Sequence, residues 1–172
     1  MSKMQWITYV LRAAHVCFTL AAPRFLWKRH VRPFWYYDGP TLALGAAAVL
    51  CTPSSAVSMK CSTCSRAGVM GYLFAQLSRK LSKKEVVFLP PQKPDFALAP
   101  VAFAEELIWR RGHFGVFDQA ASAAAFGVLH YPLGGVKAVS HMTIFAAVSQ
   151  WLKNKFGLGA SATFHIIYNL YH

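Results

Sequence analysis

The chain has 172 residues, enough for one ordinary domain, of which 55% are hydrophobic and only 14% charged. A soluble protein usually devotes about a quarter of its residues to charge, so this balance points towards a bilayer. The formal net charge is +12, from 18 basic and 6 acidic side chains. The bases do not fall on one periodic helical face, which argues against a nucleic-acid partner.

The basic residues come in short clusters instead: Arg24, Lys28, Arg29 and Arg32; Arg79, Lys80, Lys83 and Lys84; Lys153 and Lys155. Each cluster flanks an apolar stretch, as anionic headgroups of membrane lipids favour. The expectation is therefore an all-α integral membrane protein, a transmembrane helical bundle. It divides into an N-terminal anchoring region over 1–94 and a four-helix core over 95–172.

The first 37 residues contain no Asp or Glu. Two readings fit them: an organellar targeting segment, and a first membrane helix over about Gln5 to Ala22. The first reading suggests a mitochondrial or plastid inner membrane. Trp27, Trp35, Tyr36 and Tyr37 stand beside bases like an interfacial aromatic belt. Gly39 to Met59 carries no formal charge over twenty-one residues, long enough to cross roughly 30 Å of hydrocarbon. Cys61 and Cys64 form a lone CxxC with no second pair to complete a zinc site, and read as two loop thiols beside Cys17 and Cys51. Ala67 to Ser78 is apolar but too short to span. The run from Leu81 to Asp95 holds Pro90, Pro91 and Pro94 and cannot continue a helix.

Four apolar stretches follow: Phe96 to Arg110, Gln119 to Val136, Ala138 to Leu152, and Phe156 to His172. Short connections suggest antiparallel neighbours. Small residues in Ala120 to Gly127 and in Gly157 to Ala162 would let these helices approach closely.

Chemistry concentrates in these stretches. Glu105 and Glu106 are adjacent and close an apolar run. A carboxylate at the centre of a membrane helix costs about 2.5–3.5 kcal/mol. Two neighbouring carboxylates also repel, which raises the pKa of at least one towards the range useful for general acid–base work. Arg110 lies four residues after Glu106, on the same helical face, and reads as its ion-pair partner. Glu105 points about 100° away. His130 follows Phe126 by four residues in an uncharged stretch; a neutral imidazole there can orient a water or take a proton. His165 and Asn169 share a face at i, i+4 spacing and can together stabilise an oxyanion. Taken singly, each feature is as well explained by structure: an aqueous helix end, a core histidine, an interhelical hydrogen-bond pair. His141 belongs to no such pattern and reads as a core or lumen-facing residue.

In order, these residues read Glu105-Glu106-Leu-Ile-Trp-Arg110, Phe126-Gly-Val-Leu-His130 and His165-Ile-Ile-Tyr-Asn169. The triple resembles the EExxxR, FxxxH and HxxxN motifs of the CPBP family, the CAAX-prenyl-protease and bacteriocin-processing proteins also called the Abi family. The resemblance covers about residues 95–172. Arg111 stands where the family commonly has glycine. The resemblance implies an intramembrane protease that hydrolyses a peptide bond without a covalent intermediate. Glu105 and His130 would activate a water, His165 and Asn169 would hold the oxyanion, and Glu106, Arg110 and Phe126 would brace the site. It implies a membrane-bound or lipidated peptide substrate and no metal; the alternative is zinc on Glu and His ligands. A second functional reading is a catalytically inactive relative serving as a structural or assembly subunit of a membrane complex.

Overall fold

In a computed structural model, the structure describes residues 2–27, 33–51, 61–84, 96–112 and 115–172. Among them the chain forms seven α-helices and no strand: α1 (Lys3–Ala21), α2 (Asp38–Cys51), α3 (Cys61–Leu81), α4 (Leu98–Arg110), α5 (Val116–Leu129), α6 (Tyr131–Phe156) and α7 (Leu158–Tyr171). A single 3-10 turn, Arg24–Leu26, follows α1.

Local chemistry sets several of these boundaries. Ser2 and Gln5 cap each other at the start of α1: the Gln5 amide N–H donates to Ser2 Oγ at 3.2 Å, and the Ser2 N–H donates to Gln5 Oε1 at 2.7 Å. The Pro132-Leu-Gly-Gly135 segment lies inside a helix, not at its end. The break falls at His130, Pro132 takes a place in the first turn of α6, and Gly134 and Gly135 kink that helix. Gly157, with φ of 92°, ends α6 and opens α7. Cys64 is a free thiol inside α3 rather than in a loop, and Ala67 to Ser78 lies within the same helix.

Helices α4 and α7 are central. Helix α4 packs on α2, α7, α1 and α5, and α7 packs on α3, α4 and α6. The shared core includes Tyr37, Trp109, Phe126, Leu129, Phe145 and Phe164. Two of the contacts are backbone-close. A methyl group at Gly71 of α3 would meet the Phe164 carbonyl of α7, with its carbon at 3.2 Å, and one at Gly45 of α2 would lie 2.6 Å from Ala104 Cβ of α4.

The expectation of a transmembrane bundle, and with it of an integral or organellar inner-membrane location, is overturned. No helix among the described residues is long and apolar enough to cross a membrane. The apolar stretches are interrupted when folded. Helix α2 stops after 14 residues, about 21 Å at 1.5 Å per residue; the rest of Gly39 to Met59, residues 52–59, lies outside the described residues. Helix α1 is longer, but its buried stripe is Thr8, Arg12, His15 and Thr19. Helix α6 is kinked and carries Lys137, Lys153 and Lys155. The aromatic belt fails with the spans: Tyr37 is buried in the core, whereas Trp35 is exposed. Lys28, Arg29, Arg32 and the proline-rich run over 85–95 also lie outside the described residues.

Candidate active site

Every residue of α4 from Ala104 to Arg110 is buried. Glu105 and Glu106 are 1% and 0% exposed, and Arg110 is 0% exposed. Charges withdrawn so completely from water need partners that replace hydration.

The partner of both carboxylates is His165 of α7. Its Nδ1 lies 2.9 Å from Glu106 Oε1 and its Nε2 3.2 Å from Glu105 Oε2. Successive residues on a helix diverge by about 100°. The imidazole bridges that divergence by presenting its two nitrogens to the two glutamates. Phe126 and Phe145 stand edge-on to the ring, at centroid distances of 6.1 and 4.8 Å.

Glu106 is the more heavily held. Its Oε2 accepts from Ser149 Oγ of α6 at 2.8 Å and from Ser161 Oγ of α7, and lies 3.5 Å from Arg110 Nε. Burial pushes its carboxyl up. The Arg110 charge, then the His165 hydrogen bond and charge and the Ser161 hydroxyl, outweigh burial and hold it down to about 2. Arg110 also lies 5.1 Å from the centre of the Phe126 ring. Glu105 lies against His165 through Oε2 and accepts, through Oε1, from the phenol of Tyr37.

Both His165 nitrogens thus face carboxylate oxygens, and of the two glutamates Glu106 is the one held ionised, by the Arg110 charge.

His130 caps the C-terminal end of α5. Its Nδ1 lies 3.0 Å from the Phe126 carbonyl. A carbonyl only accepts, so in the neutral ring Nδ1 carries the proton and Nε2 the lone pair. Its ring stacks at a tilt on Phe126, 4.9 Å away, and stands edge-on to Tyr37 at 6.5 Å. Asn169 is half-buried. It lines a cavity of about 360 Å³ together with His130, Ser78, Lys137, His141 and Tyr168. His141 Nε2 lies 2.8 Å from Tyr168 Oη and 3.2 Å from Ser78 Oγ. Burial pushes the His141 imidazole down and the Tyr168 phenol up, so both face the cavity uncharged.

The expected residues therefore assemble in two adjoining groups. Glu105, Glu106, Arg110 and His165 form the buried cluster, and His130 and Asn169 share the cavity wall. The oxyanion pairing of His165 with Asn169 is not assembled: His165 turns to the glutamates and is 1% exposed, while Asn169 faces the cavity. Phe126 touches both groups. Among the described residues no group of three or more His, Cys, Asp or Glu side chains is disposed to hold a metal ion.

Three features escaped the sequence reading. Ser149 and Ser161 stabilise Glu106; Ser161 lies four residues before His165 on an apolar helix, a spacing that could have flagged it. Tyr37 reaches Glu105 across 68 positions of sequence, with no local signal. A third is a buried relay of polar groups: Trp109 Nε1 donates to His15 Nδ1 at 3.0 Å, which fixes the His15 proton on Nε2, 2.7 Å from Thr41 Oγ1. Thr41 Oγ1 in turn donates to the Tyr37 carbonyl at 2.6 Å.

The chain matches no family model, no curated protein and no solved structure.

Proposed function

We propose that this chain is a peptide-bond hydrolase of the CPBP type that uses a glutamate and a histidine to activate water. The observation that supports this most is the clamping of the His165 imidazole between two adjacent, fully buried carboxylates beside a cavity lined by His130 and Asn169. Burying such a group costs stability, and ionisable clusters of this kind beside a cleft are candidate functional sites. A peptide carbonyl in the cavity would meet the Asn169 amide as a donor to its developing oxyanion. Glu105 and His130, both in contact with Tyr37, would take the proton from water and return it to the leaving amine. His165, 3.2 Å from Glu105 Oε2, braces that base. Lipidated peptides belong among the substrates to be tested, as the motif resemblance implies.

A specific observation favours a second reading, a catalytically inactive structural or assembly subunit of a larger complex. Glu105 and His165 do not line the cavity, and each already has hydrogen-bonding partners. A satisfied network of this kind also serves as an internal lock.

The experiment that separates them follows cleavage of lipidated and unlipidated peptides by the wild type, Glu105→Gln and His130→Ala, with and without a chelator. The hydrolase reading expects cleavage by the wild type that falls roughly 10²–10⁴-fold in each variant and resists the chelator. Cleavage at wild-type rate in both variants would overturn it. A wild type that cleaves nothing in the panel, yet co-purifies at fixed ratio with other subunits even as Glu105→Gln, would establish the second reading.

A further inference from the structure

Tyr37 carries a buried hydroxyl that belongs to none of the three motifs. Tyr37 is 1% exposed and lies in the turn before α2. Its phenol donates to Glu105 Oε1 while its ring stands edge-on to His130. It thereby touches both residues of the water-activating pair, which come from different helices. The ring is fixed on its other sides by Trp27, edge-on at 5.6 Å, and by His15 at 5.5 Å. Its main chain is fixed too, because the Tyr37 carbonyl accepts from Thr41, which is braced through His15 to Trp109. Trp109 lies on α4, four residues after Glu105. The loop of contacts from Glu105 through Tyr37, Thr41, His15 and Trp109 therefore closes back onto the helix that carries Glu105.

A buried aromatic ring needs no such bracing to fill space. The bracing fixes where its hydroxyl points. A donor aimed at a carboxylate favours the ionised form and restricts the side chain to one rotamer, and preorganisation of that kind is worth most where charge moves during reaction. Resting on the hydrolase reading above, we infer that Tyr37 is a positioning residue that orients Glu105, keeps it ionised and sets its spacing from His130. The other titratable groups around Glu105 are His165 from α7, Glu106 and Arg110 from α4, and, beyond Tyr37 itself, His130 at the end of α5 and His15 from α1. Any pH profile must be read against them.

The test compares the full chain as wild type, Tyr37→Phe and the protein carrying 3-fluorotyrosine at position 37, whose phenol is a stronger donor. Peptide cleavage is measured across pH. Tyr37→Phe is expected to lower kcat roughly tenfold to a hundredfold with KM unchanged, and to move the acid limb of the kcat profile towards higher pH. The fluorinated residue moves that limb the other way and retains the packing. A profile that does not move in either protein, or a rise in KM with kcat unchanged, overturns the inference. A carboxyl-carbon NMR titration of selectively labelled Glu105 in the same proteins reads the phenol's effect without any turnover. If the wild type cleaves nothing and co-purifies at fixed ratio with other subunits, but the Glu105 resonance still titrates at higher pH in Tyr37→Phe, the hydrolase reading fails and the hold on Glu105 stands. A resonance that titrates identically with and without the hydroxyl ends the inference itself.

Discussion

Glu106→Gln removes one negative charge from the centre of the fold while keeping the shape of the side chain. The structure sets the size of the effect. The carboxyl is held at about 2 against an ordinary 4.5, a difference that corresponds to about 3 kcal/mol of folding free energy. The sign follows from the direction. A carboxyl depressed in the fold contributes its stability above the unfolded value, about 4.5, and loses it as pH falls towards 2. The same figure is reached from the partner. Arg110 is 0% exposed, and burial pulls its guanidinium down while Glu106 and then Glu105 support its charge. A guanidinium stays protonated at any pH of interest, so the variant leaves a buried cation short of an anion, at a cost of about 3–5 kcal/mol. Urea unfolding of wild type and variant, followed by circular dichroism at pH 7, 4.5, 3.5 and 2.5, measures this. The wild type is expected to be more stable by about 3 kcal/mol at pH 7, with the gap closing between pH 4.5 and 2. A gap that is absent at neutral pH, or that keeps one size throughout, would refute the reasoning.

Other changes test the scaffold. Arg12→Met removes the side chain that ties α1 to the end of α4, where it bonds the Ile108 carbonyl at 3.3 Å, the Arg111 carbonyl at 3.0 Å and Asp118 at 3.0 Å. It should cost about 3 kcal/mol, read as a lower urea midpoint with an unchanged slope. Gly71→Ala should cost about 1–3 kcal/mol, because the added methyl meets Phe164 backbone that cannot give way. Gly135→Ala has open space around it but a φ of 61°. With ψ at −147° it sits where residues bearing a Cβ are strained, so its cost is conformational, about 1–3 kcal/mol, read as a lower thermal midpoint.

That the C-terminal region is helical was legible from its apolar stretches, but the helix boundaries were not: Lys137 and Lys153, which bound one stretch in the sequence, both lie inside α6, and the break falls at His130 instead. The pairing of Glu106 with Arg110 was legible as well, since i, i+4 spacing is a local property. What lies opposite a residue on another helix is not. The i, i+4 spacing of His165 and Asn169 suggested a common target, but the two are offset by about 40° around the axis and by about 6 Å along it. That offset is enough to send one to the glutamates and the other to the cavity. The membrane reading failed for a related reason. Composition averages over a helix, whereas the stripe that α1 buries is Thr8, Arg12, His15 and Thr19; Arg12 and His15 have partners about a hundred positions away on α4 and α5, and the two threonines bond carbonyls of their own helix.

The bridge made by His165 also acts as a key between two helices. Two carboxylates that diverge around α4 meet the two nitrogens of one planar ring, so α7 has a single rotational setting that satisfies both. Inserting one residue between Gly157 and His165 would swing the imidazole by about 100° and advance it by about 1.5 Å, breaking both bonds together. A slipped helix would strand two buried carboxylates at once. The same residues that concentrate charge at the site therefore proofread the register of α4 against α7 as the chain folds.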